Sequence, residues 1–330
     1  MLKISTSPHT ISPVTTRGIM LDVIIALLPA FFAAVLFFGI NALLIIITSV
    51  TSCVLFEYLL QKYVLKINPT VNNLSAIVTG ILLAYNLPSN IPLILVIIAS
   101  FVAIGIAKIA FGGLGKNIFN PALVGRVFLF IAFPSFMSSW PKPRFLDFFA
   151  TDATTSATPL NVMKYSDAIT SATKLTSHMQ HLPDYWHMFL GNTGGCIGET
   201  SAIALLIGFI YLLWRKVLRW QIPVVYIGTV YVLFGMAYIL SGDIGNNPLP
   251  QILSGGLMLG AIFMATDYTT SPMTDKGRII FAFGCGVLTF VIREYSVYPE
   301  GVSFAILIMN AFVPIIDTIC TPRLFGTGRY

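Results

Sequence analysis

IMLDVIIALLPAFFAAVLFFGINALLIIITSVTSCVLFEYLL, residues 19–60, holds two carboxylates, Asp22 and Glu57, and no lysine, arginine or histidine. A helix rises about 1.5 Å per residue, and the hydrocarbon core of a bilayer takes about 20 apolar residues to cross. The stretch is therefore long enough for two membrane spans, 20–39 and 42–60. Its first part is too long for a cleavable leader and lacks a small-residue cleavage site, so it reads as a first span.

Working outward, the same reading gives further spans at 74–87, 91–111, 121–137, 200–214, 222–240, 251–266, 279–292 and 302–319. The 330 residues are 56% hydrophobic and only 10% charged, where a soluble domain carries about a quarter charged. That balance excludes a soluble fold, disorder and a disulfide scaffold. A net charge of +6 gives no ground for nucleic-acid binding. The four cysteines, Cys53, Cys196, Cys285 and Cys320, show no CxxC or zinc spacing, so neither a metal site nor a disulfide framework is expected. Segments 74–87, 251–266 and 279–292 fall short of a full span and carry Gly80, Gly260, Gly284 and Gly286. Short, glycine-bearing segments of this kind are expected to be tilted or broken helices lining a buried site.

Basic residues set the expected sidedness. With the N-terminus in the cytoplasm, the inner side receives Lys3, Arg17, Lys62, Lys66, Lys108, Lys116, Arg215, Lys216, Arg219, Lys276, Arg278, Arg323 and Arg329, 13 of 19. Lys142, Arg144, Lys164, Lys174 and Arg293 fall outside, and Arg126 falls within a span. Both termini are expected inside and the 138–199 loop outside. The string IALLPAF at Ile25 returns as IALLIGF at Ile203, although apolar strings also recur without duplication. Two five-span halves of opposite topology would make an inverted repeat, with residues 1–137 as the first repeat, 138–199 as an extracytoplasmic loop and 200–330 as the second repeat. The expected fold class is thus an all-α polytopic membrane protein of about ten transmembrane helices in two inverted five-helix repeats.

The long loop holds DATTSATPL, Asp152 to Leu160. By composition it is a Ser/Thr-rich loop that bonds to its own backbone. Its order, Asp152-x-x-Thr155-Ser156-Ala157-Thr158, also resembles the acceptor sequence D-x-x-[ST]-[GS]-A-T, on which a flavin transferase attaches FMN through a phosphoester to the last threonine. Small neighbours are expected to leave the Thr158 hydroxyl open. Four further motifs lie in order around it: SPHTISPVTTRGIMLDVIIALLPA from Ser7, FGGLGKNIFNPALVGRVF from Phe111, GNTGGCIGETSA from Gly191 and GAIFMATDYTTSP from Gly260. Over nearly its full length the chain resembles the D-subunit family of the Rnf complex, and more distantly the B subunits of the sodium-pumping NADH:quinone oxidoreductase. Cys196 stands where that resemblance leads one to expect a small hydroxyl residue.

The resemblance implies a bacterial inner-membrane component of an ion-translocating ferredoxin:NAD oxidoreductase, with covalent FMN on Thr158 relaying electrons coupled to sodium or proton export. It further implies a translocase component with no catalytic residue of its own. Implied partners are another covalent-FMN subunit, two cluster-holding membrane subunits, peripheral NADH- and ferredoxin-handling subunits, and a flavin transferase. A second, noncovalent flavin such as riboflavin has no motif to assign it. The alternative is a flavin-free secondary transporter or channel for a small solute on the same inverted repeat.

Other residues carry two readings each. Glycines before Glu199, Thr200 and Ser201 allow close backbone approach to a flavin or simply lead into a capped helix. FGGLGKN is not a phosphate-binding loop, because Asn117 follows Lys116 and no strand precedes it. Asn120 and Pro121 are expected to start span five. Arg126, a charge at membrane depth, needs a flavin phosphate, a reduced flavin ring or a carboxylate such as Glu57. Asp267 reads as a flavin or cation contact, or as the end of a helix. His178, His181 and His187 read as a solvated loop, and Lys62, Lys66, Arg215, Lys216 and Arg219 as anchors near lipid headgroups.

Overall fold

The computed structural model describes residues 15–143, 145, 158–164, 184–199, 201–242, 244–296 and 298–321, and among them every regular element is helical. Helix α1, Thr16–Leu59, starts at Thr15, whose side chain accepts the Gly18 N–H at 3.2 Å, and runs on as a wide turn over Leu60–Val64. A straight helix of that length would extend about 66 Å, twice the membrane. Gly39, at φ 63° and ψ −146°, breaks it into two arms. That backbone conformation is open to glycine and strained for other residues. The break falls between the two spans read from the sequence. Each arm buries a stripe at helical spacing: Asp22, Ala26, Ala30, Ala34 and Phe38 on the first, Ala42, Ile45, Ser49, Cys53 and Glu57 on the second.

The remaining segments follow as α2 (Ser75–Tyr85), α3 (Leu93–Phe101, extended by a wide turn Val102–Ile109), α4 (Pro121–Ala132), α5 (Pro134–Met137), α6 (159–164), α7 (Tyr185–Leu190), α8 (Ala202–Trp214), α9 (Gln221–Ser241), α10 (Pro248–Leu253), α11 (Leu257–Leu259, extended over Gly260–Met264), α12 (Asp275–Tyr295) and α13 (Val302–Ile319). Thr16–Val64, α9 and α13 are long and apolar enough to cross a membrane. Helices α2, α4 and α8 are shorter than a full span. Irregular backbone around 86–92, 110–120 and 191–199 adjoins their ends and packs on neighbouring elements, where its polar groups find partners.

Segment 251–266 is broken, as its length suggested, with Gly255 at φ 69° between α10 and α11. Segment 279–292 is not. It lies inside α12, an unbroken helix of 21 residues. Its glycines serve packing: a Cβ on Gly284 would lie 2.5 Å from Met309 Cε, and one on Gly286 would lie 2.6 Å from Thr229 Cβ. They let α13 and α9 press against α12.

Contacts sort the connections into two ends. At the basic end, which carries Arg17, Lys62, Lys116, Lys216 and Lys276, Arg215 pairs with Asp22, Arg219 with Asp275 and Asn117 with Thr269, and Tyr268 donates to the Val217 carbonyl. At the opposite end Asn90 bonds Ser139, Asn247 bonds Tyr185, and Lys164 donates to the carbonyls of Arg293, Ser296 and Tyr298. The outer surface is strongly apolar: Phe32, Ile131, Ile210 and Leu240 are 61%, 67%, 64% and 84% exposed. Bare aliphatic surface on so many helices fits a lipid surround, and the exposed Trp214 and Trp220 at the basic end suit its interface. The protein is a multi-pass, all-helical membrane protein.

Candidate functional site

Asn120 caps α4 as expected, its Oδ1 accepting the Ala122 N–H at 3.1 Å while Nδ2 donates to the Met264 carbonyl at 3.2 Å; Pro121 takes the first turn. One and a half turns later α4 projects Arg126 inward, where it is buried. Nη1 donates to Asn86 Oδ1 at 2.8 Å and to Ser303 Oγ at 3.0 Å, and Nη2 meets Glu300 Oε2 in a close ion pair. The carboxylate partner is thus Glu300 rather than Glu57. Glu57, fully buried on α1, instead takes Lys108 Nζ at 2.6 Å, and Lys108 also donates to Ser75 Oγ at 2.7 Å. The reason is depth: Glu57 and Lys108 meet beside Ser75, the first residue of α2, whereas Arg126 is level with Asn86 beyond its last.

The 191–199 segment closes over Arg126. Ile197 N–H and Gly198 N–H donate to the Leu87 and Tyr85 carbonyls, each at 3.0 Å. A Cβ on Gly198 would fall 2.2 Å from Tyr85 Cγ, so this glycine packs against an aromatic ring of its own protein. Ser201 caps α8 by accepting the Ala204 N–H at 3.4 Å; Thr200 lies outside the described residues. Cys196 is fully buried, its thiol donating to the Asn86 carbonyl at 3.3 Å and its N–H to Glu199 Oε1 at 3.0 Å. Glu199 Oε2 is buried without a hydrogen-bond partner among the described residues. Burial, reinforced by the Glu300 carboxylate, pushes the Glu199 carboxyl up to about 7 against the pull of Arg126. Cys196, Glu199 and Glu300 each bring one ligand atom to within 4.8 Å of the others.

Thr158 lies at the start of α6. Its Oγ1 accepts the Asn161 N–H at 3.2 Å and the residue is 5% exposed, so the open hydroxyl expected from small neighbours is absent from this conformation. The hydroxyl instead caps a helix turn. Asp152 and Thr155 lie outside the described residues, as do His178 and His181. From α6, Lys164 reaches the carbonyls at the end of α12, and Leu160 Cδ1 comes within 2.4 Å of where a Cβ on Gly255 would stand. Arg293 Nη2 lies 3.2 Å from the same point, and the corresponding point on Gly256 is 3.0 Å from Glu199 Oε2 and 3.3 Å from Arg126 Nη1. Gly255 and Gly256 thus form the wall between α6 and the Arg126 cluster. Arg293, buried on α12, donates to Gln251 O and Oε1 at 2.5 and 3.1 Å, and its Nε has no partner among the described residues.

Toward the basic end a cleft of roughly 800 Å³, open mouth included, is walled by Ile19, Val23, Leu212 and Phe263 and edged by Lys108, Asn117, Asn120, Asp267 and Thr269. Asp267 bonds locally, its Oδ2 accepting Thr269 Oγ1 at 3.0 Å and its carbonyl accepting the Ser271 N–H at 3.1 Å. It therefore shapes a turn at the end of a helix and also faces the cleft. Of the residues singled out in the sequence, the structure brings Arg126 and Glu199 together in one site and Asn120 and Asp267 together in another. Sequence reasoning missed Glu300, whose signal was a carboxylate two residues ahead of the apolar run that becomes α13, and it missed the Lys108–Glu57 pair.

The profile of the NQR2, RnfD, RnfE family matches residues 3–326. The chain is 45% identical over 327 residues to the D subunit of a proton-translocating ferredoxin:NAD(+) oxidoreductase complex of Clostridium ljungdahlii, covering 99% of this chain and 96% of the relative. It is 43% identical, with the same coverage, to the D subunit of a Na(+)-translocating ferredoxin:NAD(+) oxidoreductase complex of Acetobacterium woodii. The D subunit of an ion-translocating oxidoreductase complex of Citrobacter koseri is 36% identical, covering 99% of both chains.

Proposed function

The chain belongs to the NQR2, RnfD, RnfE family, and from that premise we propose that it is the D subunit of an ion-translocating ferredoxin:NAD(+) oxidoreductase complex and carries FMN on Thr158. Its relatives at 45% and 43% identity bear that name over essentially the whole chain. It is a component of a redox-driven translocase. The observation that carries the FMN assignment is the order Asp152-x-x-Thr155-Ser156-Ala157-Thr158, with Thr158 at the head of a helix docked on the Arg293 end of α12.

The surrounding residues fit a phosphoester there. Arg293 is a buried guanidinium with an unpartnered Nε and no carboxylate within ion-pair distance among the described residues, and Lys164 is a second cation on α6 itself. Arg293 would hold the phosphate through the donors its carbonyl partners leave over, and Lys164, whose three donors are given to the carbonyls of Arg293, Ser296 and Tyr298, would add its charge. Attachment joins the Thr158 oxygen to the flavin phosphate as the P–O bond linking that phosphate to the rest of its nucleotide donor breaks; the remainder of the donor departs as the leaving group and the hydroxyl proton passes to the transferase. Because Thr158 is 5% exposed, it must turn out of its cap to react. Bound flavin supplies a carrier able to bridge one- and two-electron partners. The protein fixes its position, and the buried Arg126 and Arg293 bias the local potential.

An inverted repeat of ten spans is supported by two correspondences. Ala26, in the first copy of the recurring string, faces Gly208 in the second, where a Cβ would lie 2.2 Å from the Ala26 carbonyl. Lys108 meets Ser75 at the basic end, and Arg293 meets Ser254 at the other. Each pair consists of a basic residue late in the fourth span of its half and a serine beside the third. The positive-inside pattern supports a basic end and both termini on the cytoplasmic side, with α6 on the outer face, and the family resemblance supports a bacterial inner membrane. The family resemblance supplies the partners: the other Rnf subunits and a flavin transferase. The test is ferredoxin-driven NAD reduction in inverted vesicles with concurrent ion uptake. Thr158→Asn, which retains the cap but has no hydroxyl, is expected to abolish both. Retention of coupled turnover in that variant would refute the assignment.

A further inference from the structure

The 191–199 segment, α4 and the 298–301 turn converge on one buried carboxylate oxygen that has no donor among the described residues. Glu199 is 4% exposed and its Oε2 makes no hydrogen bond. It faces the space above Gly256, which Arg126 Nη1 also borders. Glu300, its side chain 10% exposed, spends one oxygen on Arg126. A buried carboxylate left without a donor or a cation is costly, and the donors of Arg126 and Cys196 beside it are already engaged. Arg126 is tied to Asn86, Ser303 and Glu300, and the Cys196 thiol to the Asn86 carbonyl. Arg293, the other guanidinium in the neighbourhood, is turned toward the carbonyls of Gln251 and Ser254.

We propose that Glu199 and Glu300 form a site for one exchangeable monovalent cation, a proton or an alkali ion, held between the two carboxylates and bounded by Arg126. The separation supports either occupant: the two carboxylate oxygens, no more than 4.8 Å apart, can share a single ion at about 2.4 Å, a distance common for hard cations on oxygen. An alkali ion would sit on the carboxylate oxygens, since thiol sulfur favours softer metals. Arg126 tunes the site. It neutralises one carboxylate and leaves a single negative charge for the occupant, so that binding stays reversible. The site lies across Gly255–Gly256 from α6, and it gives this chain its own place in the ion's route. That placement in a route rests on the translocase reading above; the binding site does not.

The test uses the purified complex in detergent with wild type, Glu199→Gln, Glu300→Gln and Thr158→Asn, probed with NaCl against choline chloride and by infrared difference spectra across pH. For an alkali-ion site, Na+ raises the thermal midpoint of wild type, and the concentration for half effect rises at least about 10-fold in Glu199→Gln. For a proton site, Na+ has no such effect, but a carboxylic C=O band appears and disappears with pH in wild type and is missing from Glu199→Gln. Thr158→Asn responds as wild type in either case, so loss of the flavin assignment and loss of the cation site are separate results. If Glu199→Gln and Glu300→Gln do not assemble, Gly256→Ala crowds Glu199 Oε2 and Arg126 Nη1 directly and is expected to shift the same responses. Identical Na+ and pH responses in wild type and all the site variants would overturn the proposal.

Discussion

Replacing Lys108 by Met keeps the length of the side chain and removes its charge. In the native protein Lys108 Nζ lies 2.6 Å from Glu57 Oε2 and 2.7 Å from Ser75 Oγ, with the two charged side chains 3% and 0% exposed. The only other polar groups around Glu57 among the described residues are Gln61 and Thr70, each at 3.5 Å from Oε1, too far to stand in for an ammonium. Removing one partner of a buried pair costs about 3–5 kcal/mol, because the remaining charge stays desolvated. At about 1.4 kcal/mol per decade that lowers the folded-to-unfolded ratio roughly 100- to 5,000-fold, a large part of a typical total stability of about 5–15 kcal/mol. Glu57→Gln in the Lys108→Met background removes the stranded charge and should restore at least half of the loss. The assay is the folded fraction in mild detergent against increasing SDS, read for both single variants and the double. A Lys108→Met protein within about 0.5 kcal/mol of wild type would refute the reasoning, as would a double variant no more stable than Lys108→Met.

Gly208→Ala sets a methyl 2.2 Å from the Ala26 carbonyl, a backbone atom that cannot swing aside; overpacking of this kind costs about 1–3 kcal/mol, and a sharply lower thermal midpoint is expected. Arg215→Ala removes a pair to Asp22 at 3.2 Å whose arginine is 51% exposed, so its midpoint should stay near that of wild type. Glu199, raised in the folded protein from 4.5 to about 7, binds more protons folded than unfolded across that window. Stability in sodium-free buffer is therefore expected to fall as pH rises from about 4.5 to about 7 and then to level off, and a pH series of thermal midpoints should show that slope in wild type and lose it in Glu199→Gln.

What was legible in the sequence was local. The apolar runs, the break at Gly39, the Asn120 cap with Pro121, and the Ser201 cap all depend on residues within a turn or two of one another. The partner of Arg126 was not legible, because Glu300 lies 174 residues away and no periodicity links a residue inside one span to the loop before another. Glycines were ambiguous in two places for one reason. Gly286 and Gly198 mark close approach to Thr229 and Tyr85, and a sequence does not say whether a glycine makes room for a bend, a ligand or a neighbouring helix. Thr158 was legible as a motif position and illegible as a buried cap, since its burial depends on how α6 docks against Gly255 and α12.

Thr158→Ala would remove the helix cap together with the hydroxyl, so the variant that isolates flavin attachment is Thr158→Asn, whose side chain can still accept the Asn161 N–H. The most direct measurement is in-gel flavin fluorescence under denaturing conditions, with the protein coexpressed with an active flavin transferase and Thr158→Asn run beside it. A fluorescent band at 36.1 kDa that is absent in the variant is the predicted result. A dark wild-type band beside a fluorescent control acceptor would contradict the account, and a flavin-free transporter or channel on the same fold would take its place.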